Sequence, residues 1–199
     1  GSTGSIGRQS LDVIDQLGLP VAALTAGTSV ERMAQQCRKY QPALAVMSTC
    51  EAAEKLRSDL TDMEIDIEYG EEGLIHAATM PQADCVITAV VGMLGLKPTL
   101  AAIRAGKRIG RANKETLVCA GELVMAEANK YGTEIIPVDS EHSAIFQCLM
   151  SNHDHKQIKR LILTCSGGPF YGMDTEQLRL VTKAEALRHP NWKMGAKIT

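Results

Sequence analysis

The sequence lacks the features that define several large classes of protein. It has no apolar run near the roughly 18 residues that a membrane-spanning helix needs. It also lacks a basic surplus, because 21 Lys and Arg stand against 23 Asp and Glu, for a formal net charge of −2. General nucleic-acid and anionic-membrane binders need such a surplus. We therefore expect neither nucleic acid nor a membrane among the partners.

The cysteines lack the spacing of a metal or redox motif. The six are Cys37, Cys50, Cys85, Cys119, Cys148 and Cys165, and no two form a C-x-x-C pair, which excludes a zinc ribbon and a thioredoxin motif. Most lie in apolar stretches, where a free thiol behaves as a small hydrophobic group. The first residues also lack the pattern of a signal peptide. We expect a reducing, cytoplasmic location.

What the sequence does contain is a regular alternation of strand and helix patterns. Buried-strand patterns occur at 21–26, 43–47, 85–90 and 134–138, with weaker ones at 65–68 and 107–111. Between them apolar residues recur at helical spacing, and two capping boxes, 28–31 and 48–51, mark helix starts. Asn113 is predicted to cap a long helix that turns Leu117, Val118, Val124, Met125 and Ala128 inward. The pattern predicts an α/β fold, a parallel sheet with helices on both faces.

The 199 residues are enough for one domain plus part of a second. The alternation changes near residue 139, after which a helix at 142–149 and a strand at 158–164 are predicted. We therefore divide the chain into a domain at 1–138 and the beginning of another at 139–199.

The chain opens with glycines at the spacing G-x-x-G-x-x-G, from Gly1 to Gly7, leading into a helix. Glycines let backbone N–H groups approach a diphosphate, and a helix amino end favours an anion. A tag or a flexible terminus is the alternative. In a dinucleotide-binding fold a central strand precedes this loop, so we expect the chain to begin partway through the fold. Without that strand the sheet would have two unpaired edges.

The residues after the next strand bear on the choice of cofactor. NAD enzymes usually carry Asp or Glu there, but this chain has Ala26-Gly27-Thr28-Ser29. The Thr28 and Ser29 hydroxyls, helix amides and nearby Arg32 are suited to a 2′-phosphate, which favours NADP. Alternatively, Thr28 is only a helix cap, and capping and phosphate binding by the same residue are compatible.

Two carboxylates, Asp139 and Glu141, flank Ser140 at the carboxyl end of a predicted strand. Ligands bind at that edge of parallel sheets, and hard oxygen donors suit Mg²⁺ or Mn²⁺. The same residues are equally typical of a helix N-cap. Further along, Ser166–Phe170 suits either an anion-binding nest or an ordinary tight turn. His189–Trp192 is predicted to be a mobile loop, with an aromatic core anchor as the alternative.

In this order, the segments GSTGSIG, ANKET, PVDSEH, SGGPF and HPNW resemble the 1-deoxy-D-xylulose 5-phosphate reductoisomerase family. The resemblance covers essentially the whole chain. It implies a Rossmann-type NADPH-binding domain, the start of an α+β catalytic domain, a divalent cation and a homodimer at full length. The implied reaction isomerises 1-deoxy-D-xylulose 5-phosphate and reduces it with NADPH to 2-C-methyl-D-erythritol 4-phosphate, in non-mevalonate isoprenoid biosynthesis.

The resemblance also implies a role for individual residues. The implied cofactor contacts are Thr3, Gly4, Ser5, Ile6, Gly27, Thr28, Ser29, Asn113, Glu115 and Gly195. The implied substrate contacts are Lys114, Ser140, Glu141, Ser166 and His189. Asp139 and Glu141 are the implied metal ligands, for Mg²⁺ or Mn²⁺, and with Lys114 the implied catalytic residues.

Several residues depart from the family's pattern. Thr28-Ser29 stand where the family usually has Lys or Arg followed by Asn, and Arg111 replaces an apolar residue. Lys193 and Ala196 replace the usual Ser and Arg of the lid that includes Trp192 and Met194. The family's next segment supplies the third metal carboxylate, so we expect a fragment that binds metal poorly and has little or no activity. A metal-independent NADP reductase and a non-catalytic nucleotide-binding module are the alternatives.

Overall fold

A computed structural model of the chain describes residues 1–150, 154–164, 167–188 and 190. By their contacts they fall into two compact units, Gly1–Gln147 and Cys148–Thr199. This division follows contacts alone, so the boundary between functional domains at residues 138 and 139 stays a prediction. Among the described residues, no helix has the combination of length and apolar character that crossing a bilayer requires.

Strands and helices alternate through the first unit, which confirms the predicted α/β class. The strands are β1 (Ala23–Thr25), β2 (Leu44–Met47), β3 (Asp66–Tyr69), β4 (Cys85–Thr88), β5 (Arg108–Arg111) and β6 (Ile135–Pro137). The helices are α1 (Ser5–Leu17), α2 (Val30–Tyr40), α3 (Cys50–Asp59), α4 (Gly70–Thr79), α5 (Leu96–Arg104) and α6 (Glu115–Tyr131). Helix α7 (Ser140–Met150) follows β6 and extends into the second unit.

The strands form two parallel sheets of three strands each, in the orders β1-β2-β3 and β4-β5-β6. Leu24 of β1 lies opposite Ala45 of β2, and Ile109 of β5 lies opposite Val86 of β4 and Ile135 of β6. Within the described residues, β1 and β4 each pair on one side only. The end strands β3 and β6 likewise pair on one side only, and the two unpaired edges expected around a central strand stay a prediction.

Strand β2 explains why its sheet has helices on both faces. All four of its residues are buried. Ala45 and Met47 pack into a cluster with α2 and α3, whereas Leu44 and Val46 pack with Ala77 of α4 and Met80 just after it. Because successive side chains of a strand point to opposite faces, a continuous apolar strand needs cover on both. A separate cluster centred on Ile103, Ile109 and Val124 lies between β5 and helices α5 and α6.

The starts of α2 and α3 differ from the predicted capping boxes. Helix α2 begins at Val30 with Ser29 as its N-cap and no capping side chain, and the Val30 N–H donates to the Thr28 carbonyl at 2.9 Å. The box predicted at 28–31 is therefore wrong. In α3 the cap is Thr49, whose hydroxyl accepts the Ala52 N–H, one residue later than predicted.

The predicted buried face of α6 is partly wrong. Val124 and Ala128 are buried, but Val118 is 83% exposed and Met125 is 45% exposed. On a helix of about 3.6 residues per turn, Leu117, Val124 and Ala128 share one narrow face, whereas Val118 and Met125 lie about a quarter turn away from it, toward solvent. The helix is also kinked at Ala120, where φ is −141°.

The described part of the second unit contains two short helices, α8 (Thr175–Leu178) and α9 (Lys183–Ala186), both with complete capping boxes. The strand predicted at 158–164 is wrong, because these residues have no regular structure and Leu161, Ile162 and Leu163 are exposed. A strand is stable only beside a partner, and the described residues pair none with this segment.

Candidate functional site

The opening glycines form a tight turn at the amino end of α1. The Gly4 N–H donates to the Gly1 carbonyl at 3.2 Å, and the Ser2 N–H donates to the Thr25 carbonyl at the end of β1, at 2.7 Å. A Cβ atom on Gly7 would lie 2.2 Å from the Gly1 oxygen, and one on Gly1 would lie 2.4 Å from the Ala89 oxygen. The turn therefore lies close to the carboxyl ends of β1 and β4, and a side chain does not fit at Gly1 or Gly7.

This turn has the properties of a diphosphate cradle. Gly4 is the N-cap of the 13-residue helix α1, and no side chain caps that end. The first N–H groups of a helix have no partner within it, and the helix dipole favours an anion there. The predicted contacts Thr3, Gly4, Ser5 and Ile6 all lie at this end. The backbone thus fits the diphosphate of a dinucleotide.

Beside the turn is a surface pocket of about 480 Å³, lined by the starts of α2 and α3. Thr28 and Ser29 line it and are exposed, as is Gly27 just before them. Arg32 also lines the pocket, and its Nη1 atom donates to the Thr3 carbonyl at 3.0 Å. Arg32 therefore joins the pocket to the glycine turn.

Lys55 of α3 adds a second cation to the pocket lining. Reasoning from the sequence did not identify it. The sequence feature that could have identified Lys55 is its position one turn after Glu51, in a helix that starts at the same sheet edge as α2. Two cations and two hydroxyls suit a phosphate group, although Glu31 and Glu51 also line the pocket.

Asn113 organises the loop between β5 and α6. Its Nδ2 atom donates to the carbonyls of Val90 and Gly92 at 2.6 and 2.9 Å. Its Oδ1 atom accepts from the Thr116 N–H at 3.1 Å, which confirms the predicted helix cap. Lys114 and Glu115 follow and are half-buried. The loop that carries these three predicted residues is thereby fixed to the segment after β4.

The Asp139 carboxylate caps α7. It accepts the His142 N–H at 3.1 Å and pairs with His142 Nδ1 at 2.5 Å. The helix-cap interpretation is therefore confirmed, while the metal role stays a prediction. Ser140 and Glu141 lie in the first turn, the former exposed and the latter half-buried.

The described residues contain no group of three or more His, Cys, Asp or Glu side chains placed to hold a metal ion. Asp139 and Glu141, two residues apart in the sequence, carry the hard oxygen donors that Mg²⁺ prefers. Asp139 and Glu141 thus fit a divalent cation in kind but not in number, and can provide only part of its coordination.

Arg111, the last residue of β5, lies at the same edge and is only 3% exposed. Its Nη1 atom donates to the Asn113 carbonyl at 2.5 Å. Burial lowers the pKa of its guanidinium, and the negative charges of Asp139 and Glu115 oppose that shift. A cation therefore lies among residues predicted to bind cofactor and metal.

The remaining predicted residues are not all described. Ser166, His189 and Gly195 lie outside the described residues, as do Trp192, Lys193, Met194 and Ala196 of the lid. Within the described part of this segment, the Gly168 carbonyl accepts the Tyr171 N–H at 3.2 Å, as in an ordinary tight turn.

Nearly all of the chain matches the sequence profiles of a single family. Residues 1–121 match the profile of 1-deoxy-D-xylulose 5-phosphate reductoisomerase, and residues 135–199 match that of its C-terminal domain. The chain belongs to the 1-deoxy-D-xylulose 5-phosphate reductoisomerase family.

Similar sequences support this assignment. A 1-deoxy-D-xylulose 5-phosphate reductoisomerase of Heliobacterium modesticaldum is 54% identical over 203 residues, which cover all of this chain and 51% of that protein. One of Agathobacter rectalis is 50% identical over 200 residues, covering all of this chain and 52% of that protein. The chain thus spans about half the length of the relatives it matches.

Solved reductoisomerase structures share the fold. The Zymomonas mobilis enzyme in complex with NADPH is 40% identical, with a TM-score of 0.88 over 96% of this chain and 50% of that one. A reductoisomerase in complex with NADPH, fosmidomycin and magnesium is 39% identical, with a TM-score of 0.84 over 98% of this chain and 51% of that one.

Proposed function

We propose that the chain forms the NADPH-binding part, and the start of the catalytic part, of a 1-deoxy-D-xylulose 5-phosphate reductoisomerase. The complete enzyme would isomerise 1-deoxy-D-xylulose 5-phosphate and reduce it to 2-C-methyl-D-erythritol 4-phosphate for isoprenoid biosynthesis. The observation that carries the proposal is the convergence of the glycine turn, the Asn113 loop and Asp139 on the carboxyl ends of parallel strands. Parallel α/β sheets bind their ligands at that edge.

For NADPH, the backbone of Thr3–Ile6 would bind the diphosphate at the amino end of α1. Thr28, Ser29 and Arg32 would bind the 2′-phosphate, with Lys55 as a second cation in the same pocket. Gly27, Asn113, Glu115 and Gly195 complete the proposed contacts. The complexes of two solved relatives with NADPH support this assignment. Hydride transfer is the chemistry that bound NADPH supplies.

For the metal, Asp139 and Glu141 would be two of the ligands of Mg²⁺ or Mn²⁺, with the remaining ligands outside the described residues. The magnesium in solved relatives supports this choice. Polarisation of a substrate oxygen is the chemistry that a bound cation supplies.

The substrate would lie beside the Asn113 loop and the start of α7. Lys114, Ser140 and Glu141 would contact it there, and Lys114 with the two carboxylates would be the catalytic residues. Ser166 and His189 would hold its phosphate, so that remote binding energy orients the reacting carbons. By the same family argument, we propose a homodimer at full length, located in the cytoplasm.

The test follows NADPH absorbance with 1-deoxy-D-xylulose 5-phosphate, using the complete polypeptide encoded by the gene. We expect NADPH oxidation that requires Mg²⁺ or Mn²⁺ and stops with excess chelator. Asp139→Asn should abolish it, while Asp12→Asn, on the exposed surface of α1, should leave it unchanged. Chelator-resistant oxidation would instead support a metal-independent reductase. NADPH binding without oxidation under any metal would support a nucleotide-binding module.

A further inference from the structure

Arg111 is a cation in a position that ordinarily disfavours one. It is the last residue of the middle strand of its sheet, between Thr88 of β4 and Pro137 of β6. The residue is 3% exposed, and its Nε–H has no hydrogen-bond partner among the described residues. Burying an incompletely paired guanidinium is unfavourable unless nearby charges compensate. The groups around the guanidinium therefore indicate the role of Arg111.

The first compensation is the carbonyl of Asn113. Arg111 Nη1 donates to it at 2.5 Å, while the Asn113 side chain is tied to Val90, Gly92 and Thr116. Both the backbone oxygen and the side chain of Asn113 are thus held by hydrogen bonds. Arg111 braces the loop that continues into Lys114 and Glu115.

The second compensation is the acidic end of β6. The Arg111 carbonyl accepts the Val138 N–H at 3.0 Å. Asp139 is therefore the residue that directly follows this hydrogen bond. The negative charges of Asp139 and Glu115 both favour the charged form of Arg111. This electrostatic interaction is mutual, so a fixed cation at Arg111 would disfavour a further cation at Asp139.

We propose that Arg111 is a positioning residue that braces the Ala112–Glu115 loop for NADPH and, as a fixed cation, weakens divalent-cation binding at Asp139. The inference rests on the proposed function, because both ligands belong to that site. It predicts that one substitution moves the two affinities in opposite directions, which a purely structural defect would not do.

The experiment uses the complete polypeptide and measures binding rather than turnover. Mn²⁺ affinity is measured by electron paramagnetic resonance, and NADPH affinity by nucleotide fluorescence. The variants are Arg111→Met, which removes the charge and the donors, and Arg111→Lys, which keeps the charge. Arg108→Met is the matched control. Arg108 is the first residue of the same strand, at the end opposite to Arg111, and it pairs with Glu134 at 2.9 Å.

For Arg111→Met we expect Mn²⁺ to bind about three- to tenfold more tightly, and NADPH to bind roughly tenfold more weakly. Arg111→Lys should keep Mn²⁺ affinity within about twofold of the parent and partly restore NADPH affinity. Arg108→Met should change neither. If Arg111→Met binds Mn²⁺ no more tightly, or NADPH equally well, the inference is wrong.

Circular dichroism and thermal unfolding check that the variants fold. If Arg111→Met does not fold, Arg111→Gln replaces it, because Gln is neutral but retains a donor, and tighter Mn²⁺ binding is still required. A parent protein that binds neither NADPH nor Mn²⁺ would contradict the proposed function itself. A parent that binds both, with variants that match it, would contradict only the role of Arg111.

Discussion

The carboxylate of Asp139 lies 2.5 Å from Nδ1 of His142, one turn further along α7. The same carboxylate accepts the backbone N–H of His142, so one side chain both caps the helix and binds the imidazole. A divalent cation at Asp139 would therefore compete with His142 for the same oxygens. That competition would be weak, because the histidine side chain is 57% exposed.

Replacing His142 with Phe should strengthen Mn²⁺ binding in the complete polypeptide by at most about fivefold, the value of an exposed ion pair. The backbone cap is retained because it needs no imidazole. His76→Phe is the matched control, since His76 pairs with Glu68 at 2.8 Å on a different part of the unit. Weaker Mn²⁺ binding in His142→Phe would show that the imidazole supports the metal site and does not compete with it.

Adding a methyl group at Gly7 should disrupt the glycine turn at the start of α1. Its Cβ would lie 2.2 Å from the Gly1 oxygen and 2.6 Å from Ser2 Cα, both backbone atoms that cannot move without displacing the turn. We expect Gly7→Ala to lower the free energy of unfolding by about 1–3 kcal/mol and to weaken NADPH binding. Urea unfolding and NADPH titration measure the two effects.

Gly121→Ala is the comparison for Gly7→Ala, because Gly121 is also helical and its Cβ would meet only Leu117 Cβ at 3.9 Å. It should raise the free energy of unfolding by up to about 1 kcal/mol through helix propensity. Equal effects at the two glycines would contradict the steric explanation.

Arg32 should determine the preference for NADPH over NADH. Removing a charged donor to the 2′-phosphate with Arg32→Met should weaken NADPH binding by about tenfold or more and leave NADH binding nearly unchanged. Arg38→Met, on the same helix but paired with Asp62 at 2.6 Å, should preserve the ratio of the two affinities. If Arg32→Met weakens NADH equally, its contact with the Thr3 carbonyl is the part that matters.

Cys37 should make stability sensitive to alkaline pH. It is 0% exposed, and burial raises the pKa of its thiol from 9.0 to about 11. Between pH 9 and about pH 11 the unfolded chain loses this proton while the folded chain retains it, so the free energy of unfolding falls as pH rises. Urea unfolding across this range measures the slope.

The variant Cys37→Ala tests the source of that slope. It should be less stable at neutral pH, because it leaves a cavity, yet lose less stability between pH 9 and pH 11. Cys50→Ala, at an exposed site, should keep the slope of the parent protein. An unchanged slope in Cys37→Ala would assign the effect to other groups.

Local patterns in the sequence determined most of the fold. The apolar run of β2, the left-handed glycine after α1 and the Asn113 cap depend on residues close in the chain, so their structures follow from spacing and propensity. The acidic pair at Asp139 and Glu141, and the hydroxyls at Thr28 and Ser29, were found because strand ends in parallel sheets carry function.

Only the tertiary structure decided which distant residues are in contact, and whether a segment with an ambiguous pattern forms a strand. No local pattern shows that Lys55 shares a pocket with Arg32 or that Arg111 is buried against the Asn113 carbonyl. The segment at 158–164 has a strand pattern but no partner among the described residues, so it forms no strand. Pairing, burial and charge compensation depend on neighbours that the fold supplies, and a sequence pattern alone does not contain them.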